Sequence, residues 1–358
     1  MADAILYSSI DPDGPGPRLG IIDNTVNGVV GMYNLLMACL VNGYGTGANA
    51  KPGHGWELAY AQLPNGFTLK SPDGVYYCFC RGSAQTYSYS APFQVYMAEG
   101  VSDVTTLPPQ GANVRSGDWT AGSGEVRRQW ISPNASHSNN QQSTWFLIAR
   151  GAQVLFSWVN VDINSTSGYS PSAEHTSYPG GGMFYFGNAI LKGDNRPHSG
   201  PQNSIVLGGL SNQNTNYARD NWNPSSEVAS SFLGGGCMAL RDLISGAVLA
   251  GRVPTFYGCP NVMSGKTTNK TRLASYPPDL MLERVPLWLD GAIGYMPGQF
   301  YSTYYSHALL SEVFPLFGKS PTYGECLSPI EVAGEPYFVI PTGYGCIFVS
   351  LLEKYWNA

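Results

Sequence analysis

Glycine and proline interrupt this chain so often that a long helix can be laid through little of it. The 358 residues include 43 Gly and 26 Pro, about one residue in five, against roughly one in eight in ordinary globular domains. In a helix interior glycine costs about 1 kcal/mol and proline about 3 kcal/mol relative to alanine. The spacing therefore suits short strands joined by tight turns and argues against a helical bundle. Disorder is disfavoured on other grounds. Only 12% of residues are charged and 13% are aromatic, whereas disordered chains are charged and poor in aromatics. The length allows a substantial core, in one large domain or two ordinary ones.

One segment escapes the punctuation. Over residues 25–42, Val26, Val29 or Val30, Tyr33, Leu36 or Met37, and Leu40 recur at helical spacing. Asp23 or Asn24 can cap its start, and Asn42-Gly43 supplies a stop. The remaining faces are also apolar or small, so the pattern predicts a helix buried inside the molecule. Residues 1–23 read as an extended lead-in. Beyond Gly45 the pattern becomes β, with strands predicted at 56–63, 66–70, 74–80 and 93–99. The polar stretch 105–140 reads as a long surface loop with a short strand near 127–131. Two apolar runs, 145–150 and 153–161, read as a hairpin of largely buried strands. Further strands are predicted near 183–190, 204–210, 237–242, 247–253, 280–289, 294–301, 336–341 and 346–352. No fixed-period repeat is present. The fold class expected is mainly β: antiparallel, β-sandwich-like strands with one N-terminal α-helix packed against them. Two organisations stay open, a β-rich domain over 1–205 followed by a second over 206–358, or a single domain.

Motifs for chemistry are sparse. Ser264-Gly265-Lys266-Thr267 resembles the end of a phosphate-binding loop, but Pro260 stands where such a loop needs its first glycine. A nucleophile elbow of the Gly-x-Ser-x-Gly kind does not occur, and Gly180–Gly182 and Gly234–Gly236 read as close-packed bends. The histidines, His54, His137, His175, His198 and His307, stand far apart. The seven cysteines, including Cys78 and Cys80, contain no Cys-x-x-Cys pair and read as buried thiols. Neither a metal nor a cofactor is expected. Acids such as Asp279, Glu283, Asp290, Glu331 and Glu335 could supply a glycosidase pair, but spacings like theirs arise by chance. The net charge of −5, with no basic run longer than Arg127-Arg128, argues against nucleic acid as a partner. The longest apolar stretch, around 29–41, is too short and too polar for membrane insertion. The opening residues carry no basic region followed by an apolar run, so no signal peptide is expected.

Tyrosine is abundant, at 23 residues, and gathers in clusters. Tyr87 and Tyr89, and again Tyr301, Tyr304 and Tyr305, are the candidate interface or ligand aromatics. A tyrosine ring with its polar tip suits a half-buried β core, a protein interface or a sugar.

Four colinear stretches resemble a family of virion structural proteins from tailed bacteriophages, encoded among the tail genes. The first is the helix end Ala38-Cys39-Leu40-Val41-Asn42-Gly43-Tyr44-Gly45, followed by Lys51-Pro52 and Gly55-Trp56. The second is the hairpin that begins at Trp145. The third is Gly182-Met183-Phe184-Tyr185-Phe186-Gly187. The fourth is Gly294-Tyr295-Met296-Pro297-Gly298, where Met296 replaces the family's leucine, with His307 further on. The resemblance implies a non-enzymatic virion subunit in the tail, the tail tip or baseplate, or a fibre attachment. It implies docking to other tail proteins, homo-oligomers within the particle, and assembly in the host cytoplasm. It carries no catalytic residues. The alternative is a protein that binds a host-surface glycan or receptor, and behind that a polysaccharide depolymerase.

Overall fold

Two neighbouring apolar strands, Thr144–Arg150 and Gln153–Val159, form the middle of the fold. Leu147 lies opposite Phe156, and Ala149 opposite Val154. The computed structural model describes residues 3–15, 28–81, 93–116, 119–120, 126–131, 144–159, 181–191, 203–207, 210–211, 236–243, 245–248, 252–254, 282–288, 292–302, 329–342 and 345–357.

Around that hairpin a seven-stranded antiparallel sheet runs in the order Ile5–Ser8, Thr144–Arg150, Gln153–Val159, Gly181–Asn188, Ser204–Leu207, Gly236–Ala239 and Arg252–Pro254. Described residues on both of its faces are buried, and strand alternation divides them. Leu147, Ala149, Val154, Phe156, Phe184, Phe186 and Val206 face one core. Phe146, Ile148, Leu155, Tyr185, Ile205 and Leu207 face another. A strand covered on both sides has no polar positions to spare, which is why 145–150 and 153–159 read as continuous apolar runs.

On the first side lies an eight-stranded antiparallel sheet. Its main path is Leu210–Ser211, Val126–Ile131, Phe93–Ala98, Tyr76–Arg81, Gly66–Lys70 and Glu57–Gln62. Phe67 stacks on Phe79 at 4.8 Å, and Phe79 meets Phe186 of the central sheet edge-on at 5.8 Å. On the second side lies a six-stranded antiparallel sheet. It is built from Ile190–Leu191, Ala292–Ser302, Gly345–Ser350, Glu335–Thr342 and Ile330–Val332, with Leu282–Trp288 paired to Ala292–Ser302. Phe338 of this sheet packs on Phe146 at 4.7 Å. The fold is thus mainly β, in antiparallel layers, as the breaker spacing implies. Strands from both sides of residue 205 share the central sheet, and Ile190–Leu191 pairs with Ala292–Ser302.

The helix begins at Gly28 in the described residues. It runs as Gly28–Leu36 and continues as a π-helical turn, Met37–Asn42. Val29, Met32, Leu35, Leu36, Cys39 and Leu40 are buried among residues of the central and eight-stranded sheets. Burying one such leucine stabilises by about 1.5–3 kcal/mol. No helix among the described residues is long and apolar enough to cross a membrane.

Two segments differ from the sequence reading. The lead-in contains the strand Ile5–Ser8, paired with Thr144–Arg150 at the edge of the central sheet; so short a strand cannot show an alternation. The polar stretch 105–140 contributes Gln110–Ala112, Arg115–Ser116 and Trp119–Thr120 besides Val126–Ile131. Gln110–Ala112 pairs with Gly100–Asp103. Val101, Val104 and Val114, in and beside this hairpin, pack on Cys78, Cys80 and Tyr96.

Candidate functional site

The residues of the first family-like stretch meet at one place. In a π-helical turn the hydrogen bond reaches i+5. Within it, the carbonyl of Leu40 accepts from the backbone N–H of His54 at 2.8 Å and of Trp56 at 3.4 Å. Gly43 ends the turn at φ +74°, and a Cβ there would lie 2.5 Å from the carbonyl oxygen of Lys51 and 3.0 Å from the nitrogen of Gly53. Only glycine fits that crossing. Tyr44 and Lys51 then exchange backbone hydrogen bonds of 2.9 and 2.8 Å.

From this bridge the Lys51 side chain reaches back across the Tyr7 ring, 5.7 Å from its centroid. Its Nζ donates to the carbonyl of Leu6 and to Oδ2 of Asp11, both at 2.5 Å. The same Asp11 oxygen accepts from the Tyr44 hydroxyl at 2.5 Å and from the Ser8 N–H at 2.8 Å. Tyr7 donates to the carbonyl of Pro52, and His54 stands edge-on to the Tyr7 ring at 5.6 Å. Trp56 donates its Nε1–H to the carbonyl of Gly151, in the turn of the central hairpin, at 2.8 Å. Four separate segments are therefore tied together: the N-terminal strand, the helix end, residues 51–56 and the central hairpin.

Burial sets the protonation of the groups inside this knot. It raises the Cys39 thiol well above the ordinary range, with the Asp11 charge adding and Lys51 opposing. It raises the Tyr7 and Tyr44 hydroxyls, and the hydrogen bond to Asp11 raises Tyr44 further. It lowers His54 to about 4. At neutral pH Cys39 is a thiol, His54 is uncharged, and Asp11 Oδ2 already accepts from Lys51, Tyr44 and Ser8. Chemically, the arrangement is a fastening.

A second cluster lies on the six-stranded sheet. Glu335 accepts from Lys354 Nζ, from Tyr355 at 2.7 Å and from Tyr337 at 3.1 Å. The Lys354 bond, then that of Tyr355, holds its carboxyl below the usual range. Tyr355 meets Phe300 edge-on at 4.9 Å, and the Arg284 guanidinium carbon is 5.8 Å from the centroids of both Tyr355 and Tyr295.

The sequence-derived aromatic candidates distribute as follows. Tyr301 belongs to the strand Ala292–Ser302, opposite Glu283, and is described in its backbone alone. Tyr87, Tyr89, Tyr304 and Tyr305 lie outside the described residues, as do His137, His175, His198, His307, Asp279, Asp290 and the 264–267 loop. Glu331 is exposed. Cys39, Cys78 and Cys80 are free and buried, and burial pushes Cys78 up to about 12. Among the described residues no group of three or more His, Cys, Asp or Glu is placed to hold a metal ion.

Sequence reasoning missed Asp11, which sits in a run of Pro and Gly with no periodicity around it. It also missed Arg284, whose setting depends on Tyr355, near the other end of the described chain. Neither a known family model, nor a curated protein, nor a solved structure matches this chain.

Proposed function

We propose that this chain is a non-enzymatic structural subunit of a tailed bacteriophage virion, docking to other tail proteins at the tail, tail tip, baseplate or fibre attachment. The observation that carries the reading is the convergence of Asp11, Tyr44, Lys51 and Trp56 in one knot. Of the residues that resemble the phage family, Gly43, Tyr44, Lys51 and Trp56 occupy positions where close packing or side-chain hydrogen bonding restricts what could replace them. A spacing constrained in this way is a property of a fold, and this supports treating the likeness as a shared architecture.

Composition supports the same reading. A surface that must join permanent neighbours favours aromatic residues and disfavours charge, and this chain is rich in tyrosine with 12% charged residues.

The test is a density map of intact particles purified from cells that make this chain, with its peptides sought by mass spectrometry in the same preparation. The expected result is stoichiometric chain in the particle and density for its layered sheets in the tail. Particles that lack the chain, while the infected cells contain it, would sink the proposal.

A further inference from the structure

The six-stranded sheet carries a cation with no hydrogen-bond acceptor among the described residues. Arg284 is half-buried in the strand Leu282–Trp288. Three other arginines each reach an acceptor through a terminal nitrogen: Arg150 donates to Glu353 and Asn357, Arg241 to Glu99 and Gly246, and Arg115 to the carbonyl of Val114, although the Nε–H groups of Arg115 and Arg150 find no partner among the described residues. Arg284 makes two ring contacts and donates to no acceptor among the described residues.

Its surroundings keep it that way. Tyr295 and Tyr355 flank the guanidinium at 5.8 Å each, inside the range of about 6 Å where a ring attracts a cation. Tyr355 is itself fixed, through its hydroxyl on Glu335 and its edge contact with Phe300. Glu335, which holds Tyr355, is committed to Lys354, Tyr355 and Tyr337. The result is a guanidinium with two aromatic rings each 5.8 Å from its carbon.

We propose that Arg284, held between Tyr295 and Tyr355, binds the carboxylate of an acidic sugar such as a uronic acid. A guanidinium fork matches a carboxylate with two parallel hydrogen bonds. The Tyr295 ring beside it offers an apolar face for the C–H side of a pyranose and a hydroxyl for its rim, while Tyr355, covered by Lys354 Nζ at 4.7 Å and bonded to Glu335, serves to hold the arginine. A phosphate monoester carries nearly two negative charges and calls for a second cation, whereas the charge of Lys354, 4.7 Å over the Tyr355 ring, is already opposed by Glu335. A single arginine fits a single-charge ligand. The inference does not rest on the virion reading, since it concerns one surface of the chain wherever the chain resides.

The test uses the purified full chain and three probes: a glucuronic-acid-containing disaccharide, its neutral glucose counterpart and inorganic phosphate. Saturation-transfer NMR reads the binding, which one carboxylate and one ring place in roughly the millimolar range. The expected result is about tenfold preference for the uronate over the neutral sugar, lost in Arg284→Gln and reduced in Arg284→Lys, whose ammonium cannot form the paired bonds. Arg284→Lys keeps the charge and serves as the reporter if Arg284→Gln does not fold. The proposal fails if Arg284→Lys or a folded Arg284→Gln binds the uronate as the unaltered chain does, or if neither sugar binds. It also fails if phosphate binds as tightly as the uronate, which would mark a general anion contact.

Discussion

Gly298 lies directly against the indole of Trp356: a Cβ at position 298 would stand 2.6 Å from Nε1 and 2.7 Å from Cζ2. Gly298 also has φ +66°. Pro286 pairs with Tyr295 and Arg284 with Phe300, so residues 296–299 bulge opposite Val285 alone. The bulge makes room for Trp356, which is fully buried and donates to the carbonyl of Ser350 at 2.7 Å. Gly298→Ala should therefore destabilise by about 2–4 kcal/mol, from backbone strain and overpacking together. Denaturant unfolding of Gly298→Ala, Trp356→Leu and the double variant checks it. The double variant should lose less than the sum of the singles, because leucine in place of the indole frees the space that the added methyl group needs. Additive losses would separate the two residues.

That segment also marks how far the sequence could be read. Pro297-Gly298 signals a turn, and glycine at positive φ is what such a signal requires. Whether the chain reverses there or bulges within a strand depends on Leu282–Trp288 and on Trp356, and local rules see neither. The same division runs through the molecule. The helix and most strands announce themselves by period, because periodicity is what one buried face imposes, and the Trp145 hairpin announces itself by two unbroken apolar runs. The layering does not, since a run such as Phe146-Leu147-Ile148 says only that both faces are covered. The Asp11–Lys51 pair joins residues 40 positions apart, beyond the reach of any spacing rule. Arg284 is legible only once Tyr355 has been brought beside it.

Leu36 is fully buried where the helix meets the sheets. Leu36→Ala should cost about 2–5 kcal/mol, the transfer loss plus the cavity left behind. Leu36→Asp places an unpaired charge in the same core and should give insoluble or unfolded chain. Soluble Leu36→Asp with an unaltered circular dichroism spectrum would contradict the burial of this helix.

Lys51 fastens the N-terminal strand through a carbonyl and a carboxylate, and both members of its ion pair are largely covered, at 25% and 16% side-chain exposure. Lys51→Met keeps the stem over Tyr7 and removes the charge. The loss expected is about 1–3 kcal/mol, because Asp11 keeps only its Tyr44 and Ser8 donors. Adding Asp11→Asn should recover part of it, since the carboxylate no longer stands without its cation. Urea midpoints for the two single variants and the double measure the coupling, and a coupling near zero would mean the pair is screened by solvent.

His54 gives the fold a pH dependence whose direction follows from its surroundings. Burial lowers its pKa from 6.5 to about 4, and its Nε2 is buried with no hydrogen-bond partner among the described residues. In the unfolded chain the imidazole takes up a proton near pH 6.5, while in the folded chain it stays neutral until about pH 4. Between those values the unfolded state binds more protons, so stability falls as pH falls. The contribution is complete above pH 6.5, declines through the window and levels off below about pH 4. The full span corresponds to at most about 3 kcal/mol, less for the solvent that reaches the ring. His54→Gln removes the titration while keeping a polar side chain. Chemical denaturation at intervals from about pH 7 to about pH 4 should show a shallower decline for His54→Gln than for the unaltered chain. Parallel curves would mean that His54 is as well solvated in the folded state as in the unfolded one.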